Sequence, residues 1–183
     1  MSTEVPCVPP PKPRRRWLKW GLLLALVLAI AVGMVYREAI VQYARYRQQR
    51  AIVAQFADYG AMAAYDRDGN VFSLGFNPPE RKDLKDEHLR SVARLERLRY
   101  LNLWGTGVTD LGMKHLAGLK DLKRLNLGGT KVTDAGLEEL TGLTGLETIN
   151  VDGCAVTPQG LASVKKALPK TAIRFGEEVR GGD

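Results

Sequence analysis

The chain has 183 residues, enough for one domain with appendages. Its 45% apolar and 26% charged residues exclude a globally disordered chain, 19 glycines without a three-residue period exclude collagen, and two cysteines exclude a disulfide framework. The net charge of +7 is concentrated at the front, with +4 in residues 1–20, +2 in residues 37–60 and only +1 in residues 61–183, so the folded region lacks the clustered basic patch of a nucleic-acid surface.

Residues 1–16 hold Pro6, Pro9, Pro10, Pro11 and Pro13 and are predicted to form a disordered, Pro/Arg-rich tail. Residues 17–36 (WLKWGLLLALVLAIAVGMVY) carry no charge from Gly21 to Tyr36. As a helix this 20-residue run is about 30 Å long, the thickness of a bilayer's hydrocarbon. Trp17, Trp20 and Tyr36 stand at its ends, where aromatic rings favour the headgroup zone, and Lys19 can snorkel outward. A single transmembrane helix in the lipid bilayer is the expectation. A cleaved signal peptide is the alternative, because Ala29-Ile30-Ala31 resembles a cleavage site, and the product would then be secreted.

Five basic residues, Lys12, Arg14, Arg15, Arg16 and Lys19, precede the uncharged stretch from Gly21, and four arginines follow the span within 15 residues. The positive-inside rule therefore predicts a cytoplasmic N-terminus and an extracytoplasmic remainder. Residues 37–58 lack Gly and Pro and suit a juxtamembrane helix. A solvated spacer is its simplest role; Arg45, Arg47 and Arg50 touching anionic headgroups is the other. Ile52, Val53 and Phe56 are expected to cover the first edge of a domain at 59–176.

Two apolar runs, 61–65 and 71–74, flank Asp66-Arg67-Asp68-Gly69-Asn70, and Asp-Gly between such runs signals a β-hairpin. With the end of the preceding helix it is expected to cap the domain over about 59–76. Self-similarity then takes over. Leu98-Arg99-Tyr100-Leu101-Asn102-Leu103, Leu122-Lys123-Arg124-Leu125-Asn126-Leu127 and Leu146-Glu147-Thr148-Ile149-Asn150-Val151 recur at a step of 24 residues. Their second halves, GTGVTDLGMKHLAGL, GTKVTDAGLEELTGL and GCAVTPQGLASVKKAL, keep the same register. A longer unit precedes them, with Val71, Leu74 and Phe76 as strand, Leu84, Leu89 and Val92 as helix, and about three extra residues around Pro78-Pro79. Ile173-Arg174-Phe175 supplies a last strand, and 177–183 a tail.

These residues resemble the leucine-rich repeat family, L-x-x-L-x-L-x-x-(N/C)-x-L, and among its members the cysteine-containing subtype, in a bacterial type of protein. Thr106, Thr130 and Cys154 occupy the (N/C) slot. The resemblance implies an α/β fold: a short right-handed solenoid with parallel strands inside and helices outside. Alternation at Leu101-x-Leu103 buries one strand face. Gly105, Gly129 and Gly153 allow a tight strand exit. Thr109, Thr133 and Thr157 fit helix N-caps, with Asp110, Asp134 and Pro158 at the first helical position, where a carboxylate meets the positive helix end.

No nucleophile elbow, phosphate loop, paired-carboxylate motif or metal-ligand spacing occurs, so neither enzyme, cofactor nor metal is expected. His88 and His115, the two histidines, are expected on the solvated surface, and Cys154 as a small structural residue. The concave sheet is the expected contact face: Tyr100, Asn102 and Trp104 from one unit, Arg124 and Asn126 from the next, Thr148, Asn150 and Asp152 from the third, and Arg174 from the last strand. Aromatic and arginine side chains on a rigid face suit a protein partner. The column Asn102, Asn126, Asn150 equally suits amides bonded along adjacent strands. A substrate-recognition arm of a ubiquitin-ligase-like assembly and an envelope spacer without a specific ligand are the alternative roles.

Overall fold

A computed structural model describes residues 15–76 and 84–176. The predicted tails, Cys7 and the insertion at Pro78-Pro79 lie outside the described residues. The chain divides into two units, 1–43 and 44–183. The first holds most of a helix α1 (Arg15–Ala54) whose apolar run is long enough to cross a membrane.

The second unit begins with the end of α1, a 3-10 turn (Ala57–Tyr59) and two strands, β1 (Ala61–Tyr65) and β2 (Val71–Phe76). β1 and β2 pair antiparallel around the Asp66–Asn70 turn. Asp66 holds that turn by accepting from the backbone N–H groups of Asp68 and Asn70 at 2.9 and 2.8 Å. Four units of helix and strand follow: α2 (Asp86–Val92), β3 (Tyr100–Asn102), α3 (Asp110–Leu116), β4 (Arg124–Asn126), α4 (Asp134–Glu139), β5 (Thr148–Asn150), α5 (Pro158–Ala167) and β6 (Ala172–Arg174).

The six strands form one sheet in the order β1-β2-β3-β4-β5-β6, parallel from β2 onward. The 24-residue step becomes spatial register. Leu74, Leu101, Leu125, Ile149 and Ile173 are partners across five neighbouring strands. A side-chain period of two fixes this: a one-residue slip would turn every leucine away from the core.

The core fills the space between sheet and helices. Leu103, Leu127 and Val151 enter it from the strand exits, Val108, Val132 and Val156 from the return of the chain, and Met113, Leu116, Leu137, Leu140 and Val164 from the helices. Leu95 and Leu98, Leu119 and Leu122, and Leu143 and Leu146 line the loops from helix to strand. Each such side chain contributes about 1.5–3 kcal/mol. No unit encloses its leucines alone, so the energy lies in stacking. Ile52 and Phe56 are as deeply buried as the repeat leucines, and Phe56 packs edge-on against Phe76 at 5.5 Å.

The threonines cap their helices: Thr109 and Thr133 accept from the N–H groups of Leu111 and Ala135, and Thr157 from that of Gly160. The aspartates do more than meet a helix end. Asp86 Oδ1 accepts from Thr109 N–H at 2.8 Å and Oδ2 from its hydroxyl at 2.7 Å. Asp110 binds Thr133 in the same way, at 2.7 and 2.7 Å, and Asp134 binds Thr157 at 2.8 and 2.6 Å. Each carboxylate is a staple into the next unit.

Candidate functional site

Strand alternation that sends Leu101, Leu125 and Ile149 inward turns their neighbours to the open face. A groove of about 690 Å³ lies there, and seven of the nine expected contact residues line it: Tyr100, Asn102, Arg124, Asn126, Thr148, Asn150 and Arg174. Met62, Ser73 and Gly75 extend the lining onto the hairpin strands, a contribution the repeat pattern alone could not supply.

Two rows give the groove its chemistry. The first runs Ser73, Tyr100, Arg124, Thr148 across β2 to β5. Arg124 stands over the Tyr100 ring, 5.5 Å from its centroid, and Phe72 meets the same ring edge-on at 6.2 Å. Tyr100 is therefore fixed before any partner arrives, and its face holds a guanidinium by a cation–π contact. The second row runs Gly75, Asn102, Asn126, Asn150, Arg174. Here the asparagine side chains bond to their own strands rather than to one another along adjacent strands. Each side-chain oxygen accepts from the backbone N–H two residues on: Asn102 from Trp104 at 3.0 Å, Asn126 from Gly128 at 3.0 Å, Asn150 from Asp152 at 2.8 Å. These Asx turns bend each strand out of the sheet. They spend the amide oxygen and leave each Nδ2, which makes no hydrogen bond among the described residues, as a donor on the groove wall. The strands that carry them lie about 4.8 Å apart.

Among the described residues the groove lining carries two cations, the exposed Arg124 and Arg174, and no carboxylate. Charge of this sign with three amide donors suits acceptor-rich, acidic groups.

Trp104 and Asp152 lie outside the groove lining. Trp104 is 47% exposed and its six-membered ring covers Gly128, where any Cβ would overlap it. It is half interface between units and half surface. Asp152 occupies the same place one unit beyond Gly128. Its Oδ1 is buried and accepts no hydrogen bond among the described residues.

His88 differs from the expectation of a solvated side chain. It is half-buried, its Nε2 lies 2.8 Å from the Tyr59 hydroxyl, and its Nδ1 accepts from Lys85 N–H at 3.0 Å, closing the first turn of α2. Tyr59 is 29 residues away, and no local pattern announces the pair. Cys154 is half-buried and donates to the Leu127 carbonyl of the preceding unit at 3.0 Å, whereas Thr106 and Thr130 donate within their own units to Leu103 and Leu127 at 2.7 and 2.6 Å. Cys, like Thr, fits that slot because one short donor suffices. Among the described residues no group of three or more His, Cys, Asp or Glu could hold a metal ion.

Residues 96–156 match the family model described as Leucine rich repeat. A leucine-rich repeat protein of Leptospira interrogans is 26% identical over 47% of this chain and 21% of its own, with a TM-score of 0.39. The crystal structure of PEPR1-AtPEP1 is 15% identical over 62% of this chain and 19% of its own, with a TM-score of 0.38. This chain thus spans about a fifth of the length of each. Among curated proteins none matches.

Proposed function

Residues 96–156 are a leucine-rich repeat array, and on that premise we propose that the chain is a membrane-anchored, non-catalytic recognition protein whose concave groove binds an acidic segment of another protein. In this reading residues 17–36 span the bilayer, the N-terminus is cytoplasmic and the repeats are extracytoplasmic. The observation that carries the reading is the groove wall: Arg124 and Arg174 with three amide donors, and no carboxylate among its described lining residues. A partner offering backbone carbonyls and Asp or Glu side chains would meet donors at the spacing of the strands. Tyr100 is its rigid aromatic anchor. Trp104, 47% exposed, and Asp152, just beyond, form the rim. Three full units make a small face, so affinity is modest unless several copies act together.

Pull-down from solubilised membranes with the full chain tests this. Arg124→Ala with Arg174→Ala is expected to lose partners that the convex-face variant Lys114→Ala with Glu139→Ala retains. Identical partners for both would leave a spacer without a specific ligand. Protease protection of intact cells, with tags at both ends, tests the anchor. Loss of the N-terminal tag from the mature protein would replace the anchor with a cleaved signal peptide.

A further inference from the structure

A second cavity, of about 350 Å³, shares no lining residue with the groove. Three segments of the folded unit build it: the end of α1 with Arg45, Gln48, Gln49 and Ile52, the hairpin turn with Asn70, and the loop after α2 with Arg94, Glu96 and Arg97. Its walls are tied together. Gln49 donates through Nε2 to Asn70 Oδ1 at 3.1 Å and accepts through Oε1 from Val71 N–H, while Asn70 Nδ2 donates to Asp66. Buried Ile52 forms part of the lining. The amides of Gln49 and Asn70 are thus structural, and the three guanidiniums with the exposed Gln48 amide are left as the cavity's donors.

The charges are unbalanced. Among the described residues none of Arg45, Arg94 and Arg97 forms an ion pair. Glu96 is the one carboxylate among the described lining residues. Asp66 stands behind it, engaged by Asn70 and the turn and attracted to Arg97 across a longer distance. A site keeping three like charges around one small space is suited to a compact dianion. A carboxylate offers one charge; a phosphate monoester offers about 1.5–2 and three acceptor oxygens, matching the planar fork of arginine. The volume is at the small end of ligand pockets, which start at about 300 Å³, and so admits a phosphate with little attached.

We propose that this cavity binds phosphate, as the inorganic ion or the monoester of a lipid headgroup, with Arg45, Arg94 and Arg97 as its cationic wall. Both sources offer the same compact dianionic group. The site itself does not depend on the concave-face reading or on the anchor.

Isothermal titration of the full chain in neutral detergent, first with inorganic phosphate and then with dihexanoyl phosphatidic acid below its micellar concentration, tests the proposal. Saturable binding is expected, weakened at least about tenfold by Arg94→Gln with Arg97→Gln, and in the same direction by Arg45→Gln alone, at an unchanged thermal midpoint. Arg124→Gln with Arg174→Gln should bind as the parent does. Tighter binding of the lipid than of the ion identifies the headgroup as the source, and equal affinity identifies the free ion. No saturable binding of either probe, unchanged affinity in all the cavity variants, or loss in the groove variant instead overturns it.

Discussion

One carboxylate at each junction explains three letters of the repeat at once. In T-D-x-G-L the threonine caps its own helix while its N–H and hydroxyl donate back to the aspartate of the preceding unit. The glycine is the space that aspartate needs. A Cβ on Gly112, Gly136 or Gly160 would overlap Asp86, Asp110 or Asp134 respectively. Gly136→Ala is therefore expected to cost about 1–3 kcal/mol, the range for overpacking, since Val132 also crowds the new methyl. Gly118→Ala meets nothing within 4 Å and should be neutral or stabilising, so urea denaturation of the two variants separates steric demand from a general need for glycine.

Asp134 of the last staple and Asp66 of the hairpin turn bear on the acid limit. Hydrogen bonds from the side chain and backbone of Thr157 hold Asp134 below the ordinary carboxylate value. Burial pushes Asp66 up, but hydrogen bonds from Asn70 and Asp68 and the charge of Arg97 outweigh it, so its carboxyl is lowered as well. A depressed folded-state value means stabilisation that is complete above the unfolded value, about 3.9, and lost as pH falls through the folded one. Denaturation midpoints should be flat from pH 7 to 5 and fall below about pH 4. In Asp134→Asn the fall should be shallower, and a parent profile flat to pH 3 would contradict the staple's ionic character.

At the scale of elements, the array also encodes where it stops. The staple needs Asp in one unit and Thr in the next. The first unit has Lys85 in the threonine position, capped through His88 instead, and the last has Pro158 in the aspartate position. Neither end offers a half-made staple to a further unit, as terminal repeats in water require. The period, the strand register and the threonine caps were legible because each leaves a mark within 24 residues. The staples were legible only as residue types: Asp at a helix start has a sufficient local reason in the helix dipole, and nothing in one unit says that its oxygens face the next. The reading of the asparagine column as amides bonded along adjacent strands fails for the same cause, since a short polar side chain near a turn satisfies its own backbone before a neighbour's. The groove's outline was readable from strand alternation. Its extension onto Met62 and Ser73 and the Tyr59–His88 pair were not, because they join segments outside the period.

At the scale of the whole molecule, the end of α1 belongs to the repeat unit rather than to a linker. The second unit starts at residue 44. Ile52 and Phe56 are each 2% exposed, Gln49 ties the helix to the hairpin, and the Tyr46 ring packs so closely on Gly69 that no side chain fits there. Gly69 has φ +78°, left-handed and unfavourable to any other residue, so turn and helix constrain each other at one position. This predicts where the chain can be cut. A protein beginning at Ala44 should keep the denaturant midpoint of the full chain's folded unit. One beginning at Gly60 loses Ile52 and Phe56 together. Each is comparable to a core truncation of about 2–5 kcal/mol, and the sum rivals the whole stability of a domain this size. Circular dichroism with urea titration decides it. Cooperative unfolding at an equal midpoint from the Gly60 start would show that the first repeat closes its own edge, and that the helix serves only to carry it.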